Sequence, residues 1–470
     1  MKKFSELFSQ LFACGRTAPA SFTFIACILI LGGCGGGGSG SNAATASNDD
    51  TQSPPSNFIP DPGLSPMAIV GEKIFFDTAL SPGGQACATC HDPAFATSQG
   101  GNFIVPLGGV NTNLSGFRNS PSIKYTMYTG PFSLGGTAQG PGQPAVTGIP
   151  VGGMFLDGRV DTLAQQAVKP FLSPFEMANP DSAVVTAELA SRSYAKDFKN
   201  VFGANILNNP DATLAAIGQA MAALETELGA FHPFTSKYDA FLSGQIQLTA
   251  SETNGLAVFN DPAKGNCASC HTSTAVGGIS ALFTDHTYRA IGVPRNWNIP
   301  FNQDSVFTSS AGTLTYVPQN GIGLGAPSHT YYDLGLCGPL RTDLSTDTAL
   351  CGMFKVPTLR NVAVKPRYFH NGIYSTLCDV VNFHLTRESV PAHWYVKADG
   401  KTPDLIYNDM PLAYIGNIDK NQAPFSSTGA PRLSNAEIND VIAFLGTLTD
   451  SFVPGSPPAG TTAQCNSVTN

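Results

Sequence analysis

The sequence predicts a mostly α-helical fold of two similar domains, each built around one copy of the same short motif, with long irregular loops between short helices. Three observations carry this expectation. The pattern Cys-x-x-Cys-His occurs twice, as Cys87-Ala88-Thr89-Cys90-His91 and as Cys267-Ala268-Ser269-Cys270-His271, 180 residues apart. Each copy follows an apolar pattern at helical spacing: Met67, Ile69, Val70, Ile74 and Phe75 before the first, and Leu256, Val258 and Phe259 behind a Ser251 cap before the second. A chain of 470 residues exceeds what one core holds, and its 49 Gly and 35 Pro dictate much irregular backbone.

Taken in order, Lys2, Lys3 and Arg16 precede an apolar run over 22–31 that is too short to span a membrane, so residues 1–33 are read as an export signal. Its end, Leu31-Gly32-Gly33-Cys34, resembles a bacterial lipobox and makes Cys34 the lipid-bearing first residue of the mature chain, with an ordinary cleaved signal as the alternative. The Gly/Ser-rich stretch 34–57 is a flexible tether. An N-terminal cytochrome c-like domain is expected over 58–242, a C-terminal one over 243–452, and a tail over 453–470. In the first domain Asp211 is the expected cap of a core helix striped by Leu214, Ile217, Met221, Leu224 and Leu228, and 130–153 reads as a long loop. In the second, Ser434 and Glu437 form a capping box before a helix that buries Ile438, Val441, Ile442, Leu445 and Leu448.

The net charge of −8 becomes more negative once the basic leader is removed, which excludes nucleic acid as a partner and suits a basic electron-transfer protein. Eight of the eleven cysteines lie beyond Cys34. Four belong to the two motifs, and the even remainder, Cys337, Cys351, Cys378 and Cys465, suits disulfides in an oxidising compartment. A Cys337–Cys351 bridge would add about 3 kcal/mol and Cys378–Cys465 would pin the tail, although other pairings are equally open to the sequence.

Cys-x-x-Cys-His supplies two thiols for thioether bonds to haem vinyl groups and a histidine for the iron. Zinc and a redox disulfide are the alternatives, but two motifs with histidine directly following, in an exported chain, favour a c-type haem at each. Cys87, Cys90 and His91 then hold haem one; Cys267, Cys270 and His271 hold haem two.

Further motifs follow in a set order. They are Gly71-Glu72-Lys73-Ile74-Phe75-Phe76-Asp77, Arg118-Asn119-Ser120-Pro121-Ser122, Phe155-Leu156-Asp157-Gly158-Arg159, Pro174-Phe175-Glu176-Met177, the run from Phe354 to Val362, and Tyr368-Phe369-His370-Asn371-Gly372. Together with Gln166 and the two haem motifs they resemble the bacterial dihaem cytochrome c peroxidase family, including its MauG-type branch, over about residues 66–450. The resemblance implies hydrogen peroxide as substrate at haem one, with Glu176 as general acid-base and Gln166 as a second polar residue of that pocket. It also implies a calcium ion between the domains, held by Asn119 and by carbonyls at Lys365 and Arg367. Asp157 and Arg159 are expected to be a structural pair.

Three departures from the family pattern bear on function. No histidine occurs between His91 and His232, so the first iron is expected to keep an open face, as in the MauG-type branch. Leu156 stands where the family has an interhaem tryptophan. His384 stands at the distal ligand position of haem two, where the family has methionine or tyrosine, so His271 and His384 are the expected axial pair. His232, His286, His329 and His393 match no ligand position. The sequence therefore leads to peroxide reduction with electrons from a small cytochrome c or cupredoxin on the periplasmic side of a bacterial membrane, the outer membrane being favoured. The rivals are a MauG-like oxidase of a protein or organic substrate, and a non-enzymatic dihaem electron carrier that would use a methionine such as Met127 or Met154 on the first iron.

Overall fold

Each Cys-x-x-Cys-His motif is delivered by a capped helix that crosses a second helix at a glycine. Helix α1 (Pro66–Phe75) starts at Ser65, whose hydroxyl accepts from the Ala68 amide, with Pro66 in the first turn. It crosses α4 (Pro210–Glu227) so closely that a Cβ on Gly71 would lie 2.1 Å from the Ala220 carbonyl oxygen. In the later half, α5 (Ala250–Asn260) crosses α7 (Asn435–Gly446) the same way, and a Cβ on Gly255 would lie 1.9 Å from the Asp440 carbonyl oxygen. The same device, used twice, sets both motifs against a long helix.

This computed structural model describes residues 63–101, 103–135, 149–302, 308–309, 312–313, 331–420, 422–425, 432–456 and 464–468. The leader, the tether, Cys34, the middle of the 130–153 loop and His329 lie outside the described residues. Helix α4 also receives α2 (Leu163–Ala167) and α3 (Ser182–Ser191), and α7 receives α6 (Leu377–Thr386). The stripe of α4 is buried at Ile217, Met221 and Leu224, as expected. Its cap is Asn209, which accepts from the Ala212 amide; Asp211 lies inside the first turn, because Pro210 takes the first helical position and moves the start upstream. Likewise α5 is capped by Thr249 in a capping box with Glu252, and Ser251 sits inside the helix with its hydroxyl on Asp440. The Ser434 and Glu437 capping box of α7 is present.

Strands among the described residues are two-residue antiparallel ladders. One pairs Tyr288–Arg289 with Phe354–Lys355, a bridge joins Val151 to Thr287, and the Lys355 amide donates to the Leu156 carbonyl at 2.9 Å. Segments near 151–156, 286–289 and 354–356 are thereby laced into one layer. Below it Arg118 holds Asp333 through Nε and Nη2 (2.6 and 2.8 Å) and Asp157 through Nη1 (2.8 Å). Asp157 is fully buried and also accepts from Arg159, so that pair is structural. Disulfides join Cys337 to Cys351 and Cys378 to Cys465. No helix among the described residues is long and apolar enough to cross a membrane.

Candidate active site

A cavity of about 420 Å³ gathers Cys87, Cys90, His91, Gln166 and Glu176, together with Lys355, Val356 and Thr358 from the later half of the chain. His91 Nδ1 lies 3.1 Å from the carbonyl oxygens of both Thr97 and Pro121. A ring nitrogen facing two acceptors carries its proton, which leaves Nε2 as the basic atom. Burial lowers the pKa of the ring, against those two carbonyls, and so favours the neutral imidazole a metal needs.

Glu176 reaches this cavity on the turn after Ser173, where its amide donates to the Ser173 carbonyl and its own carbonyl accepts from Gly109. The side chain is accessible within the cavity it lines, yet the protein around it desolvates the carboxyl and raises its pKa, against the lowering effect of Ser173 and Arg159. Gln166 comes from α2, whose Thr162 and Gln165 capping box fixes its start. Arg159 completes that wall with its guanidinium 3.4 Å from the centre of the Phe155 ring.

At the second motif His271 Nδ1 lies 3.0 Å from the Phe283 carbonyl oxygen, and His384 Nδ1 lies 2.8 Å from that of Val380. Both rings therefore present Nε2 as the basic atom. They stand near enough for a charge on His271 to be felt at His384, whose pKa is lowered to about 4, chiefly by burial. Phe369 and Phe425 flank the His384 ring at 5.7 and 5.9 Å.

All four motif cysteines are free thiols, and burial pushes those of Cys87, Cys90 and Cys267 up to about 12. Among the described residues no group of three or more His, Cys, Asp or Glu is placed to hold a bare metal ion. The donor sets thus fit a c-type haem, which asks of the protein two thiols and one imidazole, at each motif.

The family model for di-haem cytochrome c peroxidases matches residues 65–247. The methylamine utilization protein MauG of Paracoccus denitrificans is 32% identical over 397 residues, 83% of this chain and 90% of that protein. The chain belongs to the di-haem cytochrome c peroxidase family. It is accordingly an oxidoreductase. Cytochrome c551 peroxidase of Nitrosomonas europaea is 28% identical over 67% of this chain and 72% of its own length. Among solved structures, the diheme peroxidase BthA of Burkholderia thailandensis superposes with a TM-score of 0.69 at 33% identity, covering 86% of this chain and 91% of that one.

The cavity also holds several residues that sequence reasoning missed. Glu225 lines the cavity from α4 and accepts from the Thr126 hydroxyl at 2.9 Å; burial raises its pKa to about 7. Its signal was present, since it follows Met221 by four on the apolar stripe, where a carboxylate is out of place. Tyr125 and the amines of Lys355 and Lys365, both lowered to about 8 by burial, also line it. His286 was given no ligand role. Its ring is part of the cavity wall, but Nε2 is shut off without a partner and Nδ1 faces the Thr129 hydroxyl at 3.2 Å, so no nitrogen is offered to the interior. Of the expected calcium residues, Asn119 and Lys365 line the same cavity, and Arg367 is half-buried two residues further on. Asn119 Nδ2 lies 3.4 Å from Gln99 Oε1 and from the Ile104 carbonyl oxygen, so Oδ1 is the atom left for a cation. Of the two candidate methionine ligands, Met154 lines the cavity.

Proposed function

We propose that this chain is a dihaem c-type peroxidase that reduces hydrogen peroxide to water with electrons from a periplasmic cytochrome c or cupredoxin. The observation that carries the reading is the placement of Glu176 in one cavity with Cys87, Cys90 and His91. Two covalent haems are assigned, one that Cys87, Cys90 and His91 would hold and one that Cys267, Cys270, His271 and His384 would hold. When bound, the first haem would supply the redox-active iron at which peroxide is reduced, and the second would supply electron relay.

The protein's share is acid-base chemistry and positioning. Glu176 takes a proton from one peroxide oxygen and returns it to the other, so that the O–O bond breaks with water as the leaving group. A carboxyl with a raised pKa suits both halves of that transfer, because it is neither too weak a base nor too weak an acid near neutral pH. Gln166 orients the peroxide by hydrogen bonding. The two carbonyls on His91 Nδ1 make its Nε2 a better electron donor.

The same reading takes Asn119 with the carbonyls of Lys365 and Arg367 as a calcium site, residues 58–242 and 243–452 as the two haem domains, and Cys34 as a lipid anchor on the periplasmic side, outer membrane favoured. The likeness to MauG supports a second reading, in which the oxidising equivalents of peroxide are passed to a protein or an organic substrate. Absorption and EPR spectra of the all-ferric holoprotein, taken before and after equimolar peroxide, test the first reading. One high-spin and one low-spin haem, with a spectrum that changes promptly, is the expected result. Two low-spin haems that ignore peroxide would leave an electron carrier, and negligible turnover with an artificial donor would select the MauG-like alternative.

A further inference from the structure

Four of the five phenyl or phenol rings that line the cavity belong to phenylalanine: Phe75, Phe117, Phe155 and Phe175. The fifth is Tyr125, the one phenol among the described lining residues, which include no tryptophan. Leu156, also in the lining, cannot give up an electron.

Tyr125 is 3% exposed and held in the left-handed backbone region (φ 65°), its amide donating to the Phe231 carbonyl at 2.7 Å. Its hydroxyl donates to Asp450 Oδ1 at 2.7 Å, 325 residues away along the chain. The Phe234 amide donates to the phenol oxygen at 3.2 Å. Asp450 is itself buried, and its other oxygen accepts from Asn361 Nδ2 at 2.6 Å and faces Lys124 Nζ at 3.4 Å. The carboxylate is thus held as an acceptor beside a phenol that has nowhere else to put its proton.

That geometry matters because a phenol gives up an electron readily only when its proton leaves at the same time. The guanidinium of Arg360 reinforces the requirement. Its Cζ stands 5.0 Å from the centre of the Tyr125 ring, so a positive charge created on that ring is disfavoured unless the proton moves away. Arg360 cannot swing aside, since two 2.9 Å hydrogen bonds fix it on Asp239.

We propose that Tyr125 is a redox-active tyrosine with Asp450 as its proton acceptor. The proposal rests on the peroxidase reading. Peroxide is the oxidant, and its reduction to two waters takes two electrons. Without an external donor, Tyr125 supplies one of them toward the first haem site, and the haems themselves would supply the other, which they would keep as the second oxidising equivalent. Its O–H bond breaks, the proton crosses to Asp450 Oδ1, and a neutral tyrosyl radical stays in the protein. Tyr125 therefore holds one oxidising equivalent away from the haem, either for a substrate or until a donor returns the electron and Asp450 the proton.

The test is freeze-quench EPR of the full-length holoprotein mixed with peroxide and no donor, with absorption followed in parallel. An organic radical signal is expected that narrows when the protein is made with ring-deuterated tyrosine, gains fluorine splitting with 3-fluorotyrosine at position 125, and is lost in Tyr125→Phe. Asp450→Asn, which keeps the shape but not the base, should cut the radical yield about tenfold or more. The labelled wild-type forms keep the buried contacts, so the answer stands even if Tyr125→Phe does not fold. A prompt haem response with no tyrosine-derived signal, or a signal without fluorine splitting, overturns the proposal and leaves the peroxidase reading intact. A haem spectrum that ignores peroxide sinks both.

Discussion

Cys465 is bonded to Cys378, the second residue of the helix that carries His384, so the chain beyond α7 is stapled to one wall of the second motif's site. Hydrogen bonds follow the same path: Asn382 Nδ2 donates to the Asn466 carbonyl at 3.0 Å, and the Val468 amide donates to Asn382 Oδ1 at 3.2 Å. The bridge closes 87 residues, against 14 for Cys337–Cys351. Chain entropy then makes the longer loop worth about 4–5 kcal/mol and the shorter about 3 kcal/mol. Replacing both cysteines of each pair by alanine should therefore lower thermal stability more for Cys378 and Cys465. Calorimetry of the two double variants checks the order, and equal losses would show that the tail adds nothing to the second site.

Arg118 bridges the two buried carboxylates Asp157 and Asp333. Its loss leaves Asp333 with the Gly335 amide and no cation, and Asp157 with Arg159. Arg118→Met should cost about 3–5 kcal/mol, since uncompensated buried charge is expensive. Arg159→Met leaves Asp157 on Arg118 and removes a more exposed partner, so about 1 kcal/mol is expected. Denaturant titration of both variants decides; comparable losses would mean that the shared guanidinium is not what holds the layer beneath the cavity.

Local pattern accounts for what was legible in the sequence. The spacing of Cys87, Cys90 and His91, the α4 stripe and the Ser434 capping box depend on residues within a few turns of one another, and each appears as read. Caps at Asn209 and Thr249 were misplaced by two residues because several polar residues compete there, and only the Pro210 and Glu252 contexts choose between them. The contacts of Tyr125 with Asp450 and of Arg118 with Asp333 span 325 and 215 residues, and nothing local to either partner announces them. Glu176 lies between these cases: its motif is legible, while its place in one cavity with His91 depends on how the Ser173 turn meets the Gly108 segment.

His384 offers a test of the second haem's ligands. With imidazole on both faces, the all-ferric protein should show a low-spin haem that His384→Ala converts to high-spin or water-bound, with the thioether bonds intact. His384→Met should keep it low-spin, add the sulfur-to-iron absorption of a methionine ligand and raise its potential, since thioether favours the ferrous state. Redox titration with near-infrared spectra separates the outcomes. An unchanged low-spin haem in His384→Ala would return His384 to an ordinary helix residue among Phe369, Phe383 and Phe425.

Glu225 makes stability depend on pH with a definite sign. Burial raises its carboxyl from 4.5 to about 7, so the folded state holds that proton more tightly than the unfolded chain. Its contribution is fully present below about pH 4.5 and is lost as pH rises through about 7, amounting to roughly 3 kcal/mol by pH 8. Lys355 and Lys365, lowered to about 8, act the opposite way, contributing fully above their unfolded range and losing that contribution as pH falls through about 8. Comparing wild type with Glu225→Gln cancels both lysines, because they are common to the two proteins. The variant should match wild type near pH 4 and become progressively more stable relative to it between pH 5 and 8, as read from unfolding midpoints at each pH. A difference that is constant across that range would mean that Glu225 keeps its ordinary acidity, with the Thr126 hydroxyl and cavity water solvating it well enough to offset its burial.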